Sequence, residues 1–293
     1  MNTIQEIYAS LSLVERMAAF VLLAPLLGGL LAGIDRKLSA RLQGRYGPPL
    51  RQPFFDVLKL LQKERVVVNR AQNFSIVLFL LFTVASGALF FAGADLLLTV
   101  FCLAVAGTFF VLGAFCVGSP FSHLGAEREV IQMMAYEPMV ILVAVGMYQV
   151  TGSFKVADIA QHQTPLLFQL PGVFAGFLFI LTIKFRKSPF DLSMSHHAHQ
   201  EIVRGLTTEF SGPALAFIEM AHWYENALLL GLVYLFLGSN PWLAVALALL
   251  VYLLEIFIDM NYARFKWQLT LWSSWLVTGV AAVPNILVLS SLR

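Results

Sequence analysis

Glu219, His222 and Glu225 stand three residues apart in FIEMAHWYEN, inside a run apolar enough to enter a bilayer. At that spacing successive side chains of an α-helix turn by about 60° and stay neighbours along one side. Carboxylate, imidazole and carboxylate then share one stripe. Groups that take and give protons at intervals of one turn suit a buried proton path. Glu255 and Asp259 lie four apart in the next apolar run, and Glu137 lies in an earlier one. Each of these five carboxylates costs about 2.5–3.5 kcal/mol if left at the centre of a membrane helix. They are expected to face the bundle interior, a wet cavity or a partner subunit. A plainer reading, hydrogen bonds between helices that only fix the packing, stays open beside it.

A second polar group sits in SPFDLSMSHHAHQEIVRGLTTEFSG, residues 188–212. His196, His197 and His199, with Asp191 and Glu201, have ligand chemistry for a metal. Adjacent histidines on a helix point about 100° apart, however, and no C-x-x-C or H-E-x-x-H pattern accompanies them. The segment therefore reads as a hydrogen-bonding surface for a partner. No nucleophile elbow, phosphate-cradling loop or dinucleotide fingerprint occurs, so no catalytic residue is assigned. Cys102 and Cys116 stand fourteen positions apart, about 21 Å along a helix, beyond disulfide reach and too few for an iron–sulfur cluster. No cofactor or metal is expected on this chain.

The elements that must position these residues follow from composition. Hydrophobic residues make up 59% of the 293 and charged residues 12%, about half the usual soluble share of about 25%. An all-α polytopic membrane protein is implied, a single integral domain over 1–293. A net charge of +2 gives no reason to expect nucleic acid. Eight runs approach the roughly 20 residues a span needs: 17–35, 74–94, 96–118, 129–150, 166–185, 213–237, 241–259 and 269–290. Pro25, Pro138, Pro171 and Pro284 fall inside them. The start lacks a basic stretch and cleavage site, so the first run is expected to remain as a span. All of the 19 Lys and Arg except Arg16, Lys155 and Arg293 fall in or beside the odd-numbered connections. By the positive-inside rule those connections, including the large loop between spans five and six, are cytoplasmic and both termini lie outside. After the first span, Phe54, Val57, Leu58 and Leu61 oppose Asp56, Lys59, Lys63 and Glu64, the pattern of an amphipathic helix in the interface plane or packed on a soluble partner.

DRKLSARLQGRYGPP (35–49) with DVLKLLQKE (56–64), GAEREVIQMMAYEP (125–138), PFDL followed by TTEFSG, and YARFKWQ (262–268) occur in that order. Together they resemble complex I subunit 1, the H subunit of bacterial NADH:quinone oxidoreductase. SHHAHQE replaces the proline and acidic residues that usually follow PFDL there. It is similar to the membrane subunits of energy-converting [NiFe] hydrogenases of the Ech or carbon-monoxide-induced type. The resemblance implies a subunit of the prokaryotic inner membrane that anchors a hydrogenase arm and starts an H⁺ or Na⁺ path. Its implied partners are hydrogenase large and small subunits, a ferredoxin-like cluster subunit and an antiporter-like membrane subunit. The [NiFe] centre and iron–sulfur clusters are expected on those partners. By motif, Glu137 and Glu209 correspond to an acidic funnel. Arg36, Arg45, Asp191 and Arg204 belong to docking loops. A quinone-reducing counterpart and an independent secondary transporter are the alternatives.

Overall fold

The structure is a computed structural model and describes residues 12–64, 66, 69–193 and 204–291. His196, His197, His199 and Glu201 lie outside the described residues. The described residues fold almost wholly into helix: α1 (Leu13–Leu42), α2 (Gln52–Gln62), α3 (Arg70–Phe91), α4 (Leu96–Phe115), α5 (Pro120–Thr151), α6 (Val156–Ala160), α7 (Leu166–Gln169), α8 (Pro171–Lys184), α9 (Gly212–Leu235), α10 (Pro241–Asn261), α11 (Trp267–Val277) and α12 (Val283–Ser291). Local chemistry sets the starts. Ser12 and Glu15 form a reciprocal capping box on α1, Asn69 caps α3, and the Asp95 carboxylate accepts from Leu97 N and Leu98 N of α4. Prolines open α5, α8 and α10, where a missing N–H costs no helical bond.

Six helical stretches among the described residues are long and apolar enough to cross a membrane: α1, α3, α4, α5, α10 and the composite Trp267–Ser291. The fifth expected run differs from a continuous helix. It breaks at Leu170, and α8 with its 14 residues spans only about 21 Å. Pro171 is the reason, because it has no N–H to offer the preceding turn. The groups freed there are satisfied from the last helix: Asn285 Oδ1 accepts from Gly172 N and Val173 N at 3.0 and 3.2 Å, and its Nδ2 donates to the Gln169 carbonyl. Such internal satisfaction is what apolar surroundings require. The last run is also not uniform. A π turn, Thr278–Ala282, joins α11 to α12 just before Pro284, whose ring would clash with the carbonyl four residues back. The sixth run forms the 24-residue α9, whose Glu219, His222 and Glu225 lower its apolarity.

α9 is the hub, packing against α1, α2, α3 and α10. Its approach to α1 is backbone-close: a Cβ on Gly28 would lie 2.5 Å from Trp223 Cβ and 2.6 Å from the Trp223 carbonyl. Helix α2 is amphipathic as its spacing implies, but its apolar residues divide between two neighbours. Phe54 and Val57 turn to the protein, with the Phe54 ring 5.3 Å from that of Trp223, whereas Phe55, Leu58 and Leu61 are exposed. The loop before α9 returns across α5, where a Cβ on Gly125 would overlap the Leu206 backbone nitrogen. That crossing brings the PFDL segment over the ends of α5, α9 and α10.

Gly28→Leu should therefore force α1 away from α9. Overpacking of this kind costs about 1–3 kcal/mol, seen as a lower thermal midpoint of the detergent-purified protein. Gly118→Ala, where a Cβ meets nothing within 4 Å, should leave the midpoint unchanged.

Candidate functional site: a buried charge network beneath a polar cavity

The apolar helix α8 ends at Lys184; Phe185, Arg186 and Lys187 follow it, and all three cations turn inward. Lys184 is buried with its Nζ 3.0 Å from Glu225 Oε1 and 4.0 Å above the Tyr136 ring. Arg186 adopts the left-handed region (φ 53°), which reverses the chain and points its guanidinium back into the bundle. There its Nη2 reaches Glu129 Oε1 at 3.1 Å, and its Nη1 lies 2.8 Å from His222 Nδ1 and 3.7 Å from Glu225 Oε2. An arginine can only donate, so the imidazole nitrogen it meets accepts. Burial disfavours the Arg186 charge, but Glu129 and Glu225 outweigh that penalty and raise its already high pKa. Ser193, from the PFDL loop, donates a close hydrogen bond to the other oxygen of Glu129. The His222 ring is held edge-on by Phe79 and Phe110, with ring centroids at 5.7 and 5.6 Å.

Lys187 joins α1 to α10. It is in close contact with Asp35 and lies 3.3 Å from Asp259, whose other oxygen accepts from Ser188 N at 2.8 Å. One turn earlier on α10, Glu255 is 1% exposed, and its Oε2 has no hydrogen-bond partner among the described residues. Lys184, Arg186 and Lys187 border a cavity of about 610 Å³ whose lining also includes Asp35, Arg36, Asp191, Glu219, His222 and Asp259. Burial pushes the Asp191 carboxyl up to about 7, against the opposing pull of Arg264.

Of the residues singled out from sequence, the fold brings Glu219, His222 and Glu225 together on one side of α9, with Asp259 across the same cavity. Glu255 sits deeper. Glu137 is half-buried on α5, where the charge acting on it is that of Lys184. Glu209 is half-buried outside the cavity lining, and its backbone carbonyl accepts from Gln72 at 3.2 Å. Arg36 lines the cavity and pairs with Asp56 at 2.6 Å, Arg45 lines it beside Gln43, and Arg204 is exposed at the start of the turn Gly205–Thr207. Sequence reasoning did not single out Asp35, Glu129, Lys184, Arg186 or Lys187. The signals were present. Glu129, Gln132 and Tyr136 fall at i, i+3 and i+7 on one face of α5, and three cations in four residues exceed what anchoring a helix end requires.

The arrangement is a network of buried and half-buried ion pairs. Lys184, Arg186 and Lys187 face the carboxylates of Glu129, Glu225, Asp35 and Asp259, leaving one negative charge in excess before Glu219 and Glu255 are counted. Arg186 and Lys187 each have two carboxylates within 3.7 Å, so each cation can exchange one partner for the other.

Removing one partner of a buried pair costs about 3–5 kcal/mol, whereas removing both costs far less. Lys184→Met should therefore lower the thermal midpoint sharply, and Lys184→Met combined with Glu225→Gln should recover most of the loss. Asp191 supplies a pH test. Its folded pKa lies above the unfolded value of about 3.9. Its stabilising contribution is therefore present below about pH 4 and is lost as pH rises through 7. The midpoint should fall between pH 5 and pH 8, and Asp191→Asn should flatten that slope.

The profile of the family described as NADH dehydrogenase matches residues 15–290. The second H-type subunit of NADH-quinone oxidoreductase from Syntrophobacter fumaroxidans is 29% identical over 95% of this chain and 95% of its own. The H-type subunit of the same enzyme from Bacillus cereus is 30% identical over 92% of this chain and 90% of its own. Hydrogenase-4 component C of Escherichia coli is 28% identical, covering 90% of this chain and 92% of its own. A chain of the membrane-bound sulfane sulfur reductase, an archaeal respiratory membrane complex, superposes with a TM-score of 0.82 over 93% of this chain and 99% of its own, a likeness of fold at 23% identity. The chain belongs to the NADH dehydrogenase family, that of complex I subunit 1.

Proposed function

We propose that this chain, a membrane subunit of a complex I-like respiratory complex, is the anchor and ion-path subunit of an energy-converting [NiFe] hydrogenase. The observation that carries the ion-path role is the meeting of two clusters of ionisable groups at one cavity. Asp35, Lys187 and Asp259 pair on one side of it, Glu219 lines it, and His222 with Arg186 leads inward to Glu225, Lys184 and Glu129. In this reading, ferredoxin electrons and proton reduction belong to partner subunits that carry the [NiFe] centre and iron–sulfur clusters. A redox step above the cavity changes the charge at its mouth, and the excess of carboxylates below passes an H⁺ or Na⁺ onward. Glu255, buried with one carboxylate oxygen lacking a hydrogen-bond partner among the described residues, is a resting place along that route.

α8 and α9 complete eight crossings in this reading. The broken fifth span gains length from α7, and α9 is shielded from lipid by α1, α3 and α10. The lysine- and arginine-rich connections are then cytoplasmic and both termini are outside, in a prokaryotic inner membrane. The SHHAHQE sequence between PFDL and TEFSG supports the hydrogenase assignment, as does the likeness to hydrogenase-4 component C. The likeness to the quinone oxidoreductase relatives at 29–30% identity favours a quinone-reducing complex equally.

Native purification through a tag on this chain separates the two. Nickel and iron–sulfur subunits should co-purify, with hydrogen evolution indifferent to added quinone. A flavin-containing NADH-oxidising arm with quinone-dependent turnover would overturn the hydrogenase reading. In the same preparation Glu219→Gln should reduce ion uptake into liposomes at least fivefold and leave dye-linked redox activity near the wild-type level.

A further inference from the structure

Away from the charge network, a second concavity of about 220 Å³ opens where the chain runs from α2 into α3 and meets the start of α9. Its wall is mostly apolar: Val66, Phe74 and Val77 on one side, Ala214 and Phe217 on the other. Phe74 is 65% exposed and Val77 46% exposed, so the groove opens sideways on the surface an apolar bundle presents to lipid. Among the described residues, Asn73 and Ser211 alone add polar side chains to the lining.

The mouth has the opposite character. The described residues of the stretch 59–70 carry Lys59, Lys63 and Arg70 against one acid, Glu64. Arg70 is exposed one turn before Phe74 on the same face of α3. Lys63 is fixed beside the groove because the Lys63 and Glu64 carbonyls lie 3.5 and 2.8 Å from where a Cβ on Gly212 would sit, between lining residues Ser211 and Pro213. Among the described residues neither Lys63 nor Arg70 has an ion-pair partner. Helix α2 continues the pattern, with exposed Phe55, Leu58 and Leu61 beside Lys59.

An apolar slot open to the bilayer, capped at the charged end of the bundle by Lys63 and Arg70, matches one kind of molecule. We propose that this groove holds the acyl chain of an anionic phospholipid whose phosphate is bound between Lys63 and Arg70. Two cations set about a phosphate supply charge-assisted hydrogen bonds that a zwitterionic headgroup, carrying its own ammonium, uses less well. The lipid would seal the seam between α3 and α9 below α2 and tie the interfacial helix to the leaflet. It takes no part in the charge network, so its loss should alter lipid retention before it alters turnover.

The test is native mass spectrometry of the intact purified complex, delipidated and then titrated with phosphatidylglycerol or phosphatidylcholine in mixed micelles. One phosphatidylglycerol should be retained per complex, at least tenfold more tightly than phosphatidylcholine. The Lys63→Gln/Arg70→Gln double variant should reduce that preference to less than twofold while the complex stays assembled, and Ala214→Phe, which fills the groove, should reduce retention of both lipids. Equal binding of the two lipids by the wild-type complex would overturn the proposal without any variant. So would an unchanged preference in the double variant, or retention of a quinone in place of phospholipid.

Discussion

Everything in this fold is arranged around the cost of keeping Lys184 and Arg186 away from water. A lone ammonium or guanidinium in an apolar interior loses several kcal/mol of hydration even after relaxation. The chain meets this by converging carboxylates from two other helices, Glu129 from α5 and Glu225 from α9, with the Tyr136 ring beneath the ammonium. The convergence demands close helices, and the closeness is visible in backbone: Gly28 against Trp223, and Gly125 against Leu206. It also demands that the end of α8 turn back on itself, which the left-handed Arg186 accomplishes.

The second layer follows from the first. Once the chain has turned, Lys187 and Ser188 fall beside Asp35 and Asp259, so α1 and α10 are drawn to the same point, and Ser193 reaches Glu129 from the loop. The PFDL segment is thus not a tether between spans. It is the plug on which four helices agree, and it forms part of the cavity wall through Asp191. Its polar groups are shared among helices, so a charge change at the cavity mouth acts at once on α1, α5, α9 and α10. That sharing is the physical basis of the coupling proposed above.

Much of this was legible in the sequence. Long apolar runs, proline placement and spacing gave the all-helical character and most helix positions, because those signals are local. The stripe Glu219–His222–Glu225 was readable because a three-residue period leaves neighbours on one side of α9. Two kinds of feature were hidden. The break at Leu170 depends on Asn285, more than a hundred residues away, offering its amide to the freed backbone. The inward turn of Lys184, Arg186 and Lys187 depends on the left-handed Arg186, and by sequence alone those cations read as anchors at a membrane face. Asp35 and Glu129 stayed unnoticed for a related reason. Each lies near the end of an apolar run, where a charge is cheap, and only the fold shows that the end is covered.

The central claim is that the network moves ions rather than merely bracing the helices. The most direct measurement is the number of ions taken up per electron transferred by the intact complex in sealed liposomes, comparing wild type with Glu129→Gln. A transport role predicts that assembly and dye-linked electron transfer persist while ions moved per electron fall at least tenfold. An unchanged ratio in an assembled complex would contradict it, because the carboxylate would then serve packing alone.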